Sequence, residues 1–512
     1  MRDGYRATGH WTADPVDLVR ETAQRASSSP ALIDRDGQVT YAELDERIDE
    51  VCAAMAAAGV GASSAVIVVV GNDIDSVVAV HATLRLDAVV LLVPRSAGET
   101  QVADIIARTG AEFGVAPNWS GTDNHQLAGR LAWIDLHQTG GRGSSVAPRP
   151  RRAGDEPCLV LYTSGTTSAP KGVIHSLSTL TKASANYITA AGLAGDDRIF
   201  LISPLASVTG VLQAIFIPPM LAVPVVLEDR WDPPTTCELM VTTGATWYGG
   251  PDRLLDRILD EAVASEHEIL LRAVYLGGTM LDRRIVERIE DDFGIVVMRA
   301  YGSSEVPVST SGHRHESRDV RHADDGAALD DVEVRVGSAG DPTECCIRGP
   351  HAFLGYTDAD DDAQAFDEEW FRTGDVAEVV DGRVRIVGRI KDIVIRNGMK
   401  IPAAEVEEAV ARIAGVRECA AYSVADATTG ERLAVAMVLE PDVEVTLAQV
   451  ADNLTSAGLP KYKLPEELVF WDEPLPLNAN GKVERNKLDA RSKGRPRTMA
   501  PRLLTPAGRP AR

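Results

Sequence analysis

Six cysteines scattered over 512 residues do not make a disulfide framework, and no two of them form a Cys-x-x-Cys pair. Cys345 and Cys346 are adjacent, so on a strand they would point to opposite faces, poorly placed to share a zinc. Long apolar runs are missing too. Ala65–Val70 and Val89–Val93 are among the longest, far short of the roughly 20 residues a membrane span requires. The opening Met-Arg-Asp-Gly-Tyr lacks the apolar stretch of a signal peptide. Positive charge is in deficit: the formal net charge of −23 argues against nucleic acid or an anionic membrane as a partner. No internal repeat is found. The expectation is a reduced, cytoplasmic protein without a membrane span.

What is present is a soluble globular composition, 45% hydrophobic and 25% charged, in a chain too long for one core. Apolar β-branched runs alternate with amphipathic segments. Gln38–Tyr41 reads as a strand, Ala42–Ala58 as a helix ended by Gly59, and Ala65–Val70 as a strand covered on both faces. A helix over Asp75–Leu86 and a strand over Val89–Val93 follow. The pattern continues through strands at Cys158–Tyr162, Ile199–Ser203, Val223–Leu227, Ala245–Tyr248, Val274–Leu276 and Ile295–Met298. This predicts an α/β fold: a large N-terminal domain of helix-covered, mostly parallel sheets over 1–388. From about 330 to 388 shorter strands and turns predict a β-rich subdomain. A smaller α+β C-terminal domain is expected over 389–490, mobile relative to the first, and a disordered Arg/Pro/Gly/Ser-rich tail over 491–512.

The clusters of small and polar residues fall just after strands, where open α/β sheets bind ligands. The fullest is Tyr162-Thr-Ser-Gly-Thr-Thr-Ser-Ala-Pro-Lys171-Gly. Its hydroxyls, backbone N–H groups and single terminal cation suit a polyphosphate. It is not a Walker A loop, because Pro170 precedes Lys171 and Gly172 follows it. In so acidic a chain, a site for an anionic nucleotide must be built locally, from loops, lysines and a metal ion.

That loop resembles the phosphate-binding loop of the acyl-adenylate-forming enzymes: the acyl- and aryl-CoA ligases, the adenylation domains of non-ribosomal peptide synthesis and the luciferases. Ser168 stands where that family usually has glycine. Further segments resemble the same family in order, over nearly the whole chain to about Leu488. The resemblance implies that Thr163, Ser164, Gly165, Thr166, Thr167 and Lys171 hold phosphates, with Gly278 and Thr279 also at the nucleotide. Tyr301-Gly302-Ser303-Ser304-Glu305 looks like the segment whose tyrosine packs on adenine and whose glutamate binds Mg²⁺, so Glu305 and Thr163 are the expected metal residues. Trp370–Asp375 and Gly388-Arg389 are similar to the segments that grip the ribose through Asp375 and Arg389. Lys391 would be the interdomain hinge. Arg396–Ile401 is similar to the loop over the pantetheine channel of CoA ligases, which implicates Gly398 and Lys400. Pro476–Lys482 resembles the segment whose lysine catalyses adenylation, here Lys482.

The implied reaction is activation of a small carboxylic acid by Mg²⁺·ATP as an acyl-adenylate, followed by transfer to coenzyme A; a homodimer is compatible with this. Ser207 replaces a histidine that many CoA ligases carry at the acyl pocket. Val208, Trp247, Tyr248 and Gly277 complete an expected pocket with an aromatic wall and a small floor, closest in look to ligases of cyclic or medium-chain acids. Two alternatives stand beside it. An adenylation enzyme for amino acids would need an acidic residue for the ammonium, and Pro204–Val211 contains none. A silent, nucleotide-binding homologue is disfavoured by the intact Lys482, Asp375, Arg389 and Glu305. Loading of a carrier protein instead of coenzyme A stays open.

Overall fold

The computed structural model describes residues 2–12, 17–117, 131–134, 136, 152–163, 170–276, 283–477 and 483–500. The chain divides into two compact units, Met1–Thr373 with Val379–Arg385, and Gly374–Glu378 with Ile386–Arg512.

The first unit is built on two large sheets. In the seven-stranded sheet, Pro157–Thr163, Val89–Pro94, Ala65–Val70, Phe113–Val115 and Ala132–Ile134 run parallel as neighbours in that order. Lys171–Ser176 turns back antiparallel on Pro157–Thr163 and carries Gly355–Tyr356 at the edge. The β-branched run of Ala65–Val70 is buried from Val66 onward, as a strand covered on both faces must be. In the second sheet, Pro30–Ile33, Val225–Leu227, Ile199–Leu201, Trp247–Gly250, Ala273–Leu276 and Val296–Tyr301 are parallel neighbours. The α/β class expected from the alternation is what forms.

Local chemistry fixes the helices between these strands. Thr40 and Glu43 form a reciprocal capping box that starts the helix Tyr41–Ala57. Ser176 and Thr179 do the same for Leu177–Ala191, which stops at Gly192 with φ of 62°. On one face of the second sheet, Phe200, Val226, Tyr248, Val274, Leu276 and Val297 pack with Leu255, Ile258, Leu259, Val286 and Ile289 of the covering helices.

The short strands beyond residue 330 do not make a sheet of their own. Thr310–Ser311 and Ala327–Ala328 extend the second sheet antiparallel from Val296–Tyr301, and Ala327 pairs with Arg383. Glu333–Val336 and Glu344–Arg348 lie further along the same sheet. The expected β-rich subdomain is therefore the antiparallel flank of the large sheet.

In the second unit, Val416–Asp426 and Gly430–Leu439 form a long antiparallel hairpin, with Glu467–Trp471 parallel beside it. Helices Ala403–Ala411 and Leu447–Ser456 cover one face through Val406, Val410, Val450 and Leu454. The tail expectation needs correction over residues 492–500: past the helix Arg485–Arg491, Arg497–Met499 is a strand paired with Glu467–Val469. Arg497 reaches Glu467 at 2.9 Å, and Arg495 reaches Asp472 at 2.8 Å while lying over the Trp471 ring. Ion pairs and ladder bonds hold this segment, not apolar burial, so composition gives no sign of it. Residues 501–512 lie outside the described residues.

Candidate active site

Thr163 ends the Pro157–Thr163 strand and is half-buried, in register with Lys171 across the antiparallel pair. Ser164, Gly165, Thr166 and Thr167 lie outside the described residues. The Lys171 ammonium is 2.8 Å from an Asp361 oxygen and 4.9 Å from the centre of the Tyr356 ring. Tyr356 then donates its hydroxyl to Glu305 Oε1 at 2.8 Å. Burial pushes this phenol up, and the Glu305 carboxylate pushes it further, so it stays a donor. Lys171, expected to hold phosphate, and Glu305, the expected metal carboxylate, thus meet through one tyrosine ring. Sequence reading missed that ring. It belongs to the edge strand Gly355–Tyr356, brought there by pairing with Val173 and Ile174.

The Tyr301–Glu305 segment leaves the end of Val296–Tyr301. Gly302 is required by close packing: a Cβ there would stand 2.4 Å from the Val308 nitrogen. Ser303 N donates to Val306 O at 3.2 Å, and Glu305 N to Ser303 Oγ at 3.3 Å, closing a tight turn. Behind it, fully buried His175 donates Nε2–H to the Ser304 carbonyl at 2.7 Å. Burial lowers this imidazole to about 4, opposed by that hydrogen bond, so it is neutral and fixed as a donor. His175 is a second supporting residue, with no sequence signal to single it out, because its partner lies 129 positions away.

Glu305 can take part in a magnesium site. One oxygen is engaged by a neutral phenol, no cation is paired with it among the described residues, and Mg²⁺ is commonly held by one or two carboxylates with substrate phosphates. No cluster of three His, Cys, Asp or Glu side chains forms a self-contained metal cage among the described residues.

The expected pocket residues separate. Trp247 and Tyr248 alternate across the strand. Tyr248 is fully buried in the helix-covered core and donates its hydroxyl to Pro251 O at 2.8 Å. Trp247 faces the other way, towards Tyr187 and Tyr275. Ser207 caps the short helix Val208–Val211, accepting from Gly210 N at 3.1 Å and donating to Pro204 O at 2.7 Å. Its hydroxyl is thereby committed to the turn. Gly277, Gly278 and Thr279 lie outside the described residues.

In the second unit, Asp375 is buried and its carboxylate lies 3.2 Å from Arg389 Nε, so the two expected ribose residues are side by side. Lys391 sits in the single turn Ile390–Asp392. Asn397 and Gly398, with φ of 51° and 78°, make the two-residue turn joining Ile393–Arg396 to Met399–Pro402, and Lys400 projects exposed from the second strand. Lys482 lies outside the described residues, but the residues flanking it are fixed: Leu477 bridges Val483, and Glu484 N donates to Pro476 O at 2.8 Å. Arg485 makes a two-pronged pair with buried Glu407, at 3.0 and 2.6 Å.

Two family models match the chain: AMP-binding enzyme over residues 19–357, and AMP-binding enzyme C-terminal domain over 405–482. A salicylyl-CoA synthase / salicylate adenylyltransferase of Streptomyces sp is 27% identical, covering 95% of each chain. The medium-chain fatty-acid–CoA ligase of Escherichia coli (strain K12) is 26% identical over 94% of this chain and 91% of its own. Among solved structures, the o-succinylbenzoate CoA synthetase of Bacillus subtilis bound to its acyl-adenylate matches with a TM-score of 0.82 at 23% identity, over 93% of this chain and 98% of that one.

Proposed function

The chain belongs to the AMP-binding enzyme family, and on that premise we propose that it is an ATP-dependent acyl-CoA ligase of the AMP-forming type, working in the cytoplasm. The observation that carries the proposal is the Lys171–Tyr356–Glu305 arrangement, in which one tyrosine ring touches both a cation that would hold phosphate and a carboxylate that would hold magnesium. The names of the relatives, and the free state of all six cysteines, support it.

In the first step a substrate carboxylate oxygen bonds to the α-phosphorus of ATP, and the bond to the bridging oxygen breaks as pyrophosphate leaves. The carboxylate is already ionised, so no general base is needed. Two anions must approach, and positive charge offsets their repulsion. Lys482 would span the carboxylate and α-phosphate. Thr163, Ser164, Thr166, Thr167 and Lys171 would hold the outer phosphates. Tyr301 would pack on the adenine, with Gly278 and Thr279 beside it, and Asp375 and Arg389 would hold the ribose. Glu305 with Thr163 would hold Mg²⁺, which supplies charge neutralisation on the phosphates. In the second step the coenzyme A sulfur bonds to the activated carbonyl carbon and AMP leaves; Gly398 and Lys400 would flank the pantetheine, with Lys391 as the hinge.

The acid pocket would lie at the carboxyl ends of the parallel strands, beside Trp247 and Val208. No acidic side chain lies in Pro204–Val211 to pair with an ammonium, so a neutral acid is expected over an amino acid. The test is pyrophosphate exchange with carboxylic acids, then AMP release with coenzyme A or with a phosphopantetheinyl carrier protein as acceptor. Exchange only with proteinogenic amino acids would overturn the reading of the acid. Acceptance of the carrier alone would move the second step to carrier loading, and absence of ATP binding would overturn the whole.

A further inference from the structure

Two unusual features coincide on the Trp247 face of the parallel strands. Leu212–Phe216 is a π turn, a rare conformation concentrated at functional sites. Gln213, inside it, is completely buried. Its Nε2 donates to Gly249 O at 3.1 Å, while its Oε1 is buried with no donor among the described residues. Beside it stands Tyr187, from the helix Leu177–Ala191. Trp247 Nε1 donates to the Tyr187 oxygen at 3.1 Å, which leaves the phenol's own proton for a different acceptor.

Both groups rest on the same spot near the carboxyl end of the strand. A Cβ on Gly249 would meet Gln213 Nε2 at 2.4 Å and the Tyr187 oxygen at 2.5 Å. Behind them the way is closed. The rings of Tyr187, Trp247 and Tyr275 pack edge to face with centroids 6.0, 4.8 and 5.3 Å apart, and the Tyr275 hydroxyl is tied to Ser311 at 2.6 Å. An alkyl chain entering from the strand ends would run into polar atoms and then a wall of rings. A carbonyl without a donor, next to a phenol proton without an acceptor among the described residues, is the complement of one group: a hydroxyl, which both donates and accepts.

Resting on the reading of this chain as a carboxylic-acid-activating enzyme, we propose that Gln213 and Tyr187 form the polar floor of its acid pocket, and that they select a compact ring acid carrying a hydroxyl over a plain alkyl chain. A buried acceptor left unpaired is costly, so an acid without the hydroxyl is penalised when it displaces any water there.

The experiment is pyrophosphate exchange with benzoate, its three monohydroxy and three monofluoro derivatives, and octanoate. The purified full-length chain is used as wild type, Gln213→Leu and Tyr187→Phe, with melting temperatures checked for each. At least one hydroxybenzoate should exceed its fluoro counterpart and octanoate by about tenfold or more in kcat/KM. Gln213→Leu should bring that ratio towards one, with the hydroxybenzoate rate falling by a larger factor than the benzoate rate, and Tyr187→Phe should lower it in part with the ring packing kept. Exchange with octanoate but no preference for a hydroxy acid would overturn the inference and leave acid activation standing. A Gln213→Leu variant that folds and keeps the hydroxyl preference would also overturn it. Exchange with no acid at all would overturn both.

Discussion

The polar groups nearest the candidate site in the first unit and the buried carboxylates Glu407 and Glu467 of the second are satisfied in opposite ways. All ten histidines fall in the first unit, and none in the second. In the first unit the groups nearest the candidate site have neutral partners: Glu305 accepts from a phenol, His175 donates to a carbonyl, and Gln213 donates to a carbonyl. In the second unit, as for Asp155 and Glu228 of the first unit with Arg6 and Arg35, the buried carboxylates meet guanidinium groups. Glu407 takes both prongs of Arg485 and the Ala421 N–H at 2.7 Å, and Glu467 is paired with Arg432 and Arg497, each at 2.9 Å. A carboxylate that must receive a metal or substrate has to keep an oxygen free, which a neutral donor permits. A carboxylate that must hold a fold is better saturated, because leaving a buried charge unpaired is expensive.

Acid should break the first unit before the second. Burial lowers His81 and His175 to about 4, and His351 to about 3. A base whose folded pKa lies below its unfolded value of about 6.5 binds fewer protons when folded. Its stabilising contribution is complete above pH 6.5 and is lost as the pH falls towards 4. Each such histidine is worth on the order of 3 kcal/mol across that window. In the second unit Glu407 is shifted upward by burial, with Arg485 opposing, so protonation there works with folding. Hydrogen exchange at pH 7 and pH 4.5 should show protection lost first around Val173–Ser176. Equal loss in the Val416–Leu439 hairpin would remove the distinction.

Glu407→Ala should do the reverse. It strands Arg485 beside a cavity, and breaking a buried pair by removing one partner costs about 3–5 kcal/mol. Denaturation followed by Trp471 fluorescence in the second unit should shift by that amount, while the unfolding of the first unit stays in place. A shift of under about 1 kcal/mol, typical of surface pairs, would mean the pair is not desolvated in solution.

Lys482→Ala sharpens the contrast by separating chemistry from stability. The expected loss in acyl-adenylate formation is about 3 kcal/mol or more of transition-state stabilisation, with no change in melting. Thioester formation from supplied acyl-adenylate should survive. If both half-reactions fall together, Lys482 serves both transition states or the fold.

Much of the fold was legible because it depends on local signals. The buried run at Cys158–Tyr162 becomes the strand Pro157–Thr163, and the helix expected over Ala42–Ala58 forms over Tyr41–Ala57, where Thr40 and Glu43 cap it. Features that depend on distant pairing were not legible. Tyr356 lies fifty-one positions from Glu305 in sequence and meets it only through an edge strand. Motif order alone groups Trp247 with Tyr248, whereas strand alternation sends them to opposite faces and, of the two, Trp247 reaches the Tyr187 side. The Arg497–Met499 strand sits in a segment whose composition reads as disordered, and its partners lie thirty residues upstream.

The smallest expected effect tests the idea behind the comparison most directly. Tyr356→Phe removes one neutral hydrogen bond to Glu305 and keeps the ring, which packs against Phe353 at 4.9 Å and under the Lys171 ammonium. If the phenol only fills space, nothing beyond a slight change in melting follows. If it orients the carboxylate, the loss is that of one hydrogen bond to a charged group, about 1.5–3 kcal/mol at most and less where water replaces the phenol. It should appear as weaker Mg²⁺ dependence of nucleotide binding, measured by titrating Mg²⁺ at fixed ATP with fluorescence or calorimetry. KM for the acid should not move, because the phenol bonds the carboxylate and not the pocket. Asp361→Asn serves as the control: it loosens Lys171 without touching Glu305, so it should alter ATP affinity and leave the Mg²⁺ midpoint in place. Equal shifts of that midpoint in the two variants would mean that Lys171 and Glu305 act as one charged cluster, and the neutral phenol would then have no separate role in keeping the carboxylate available.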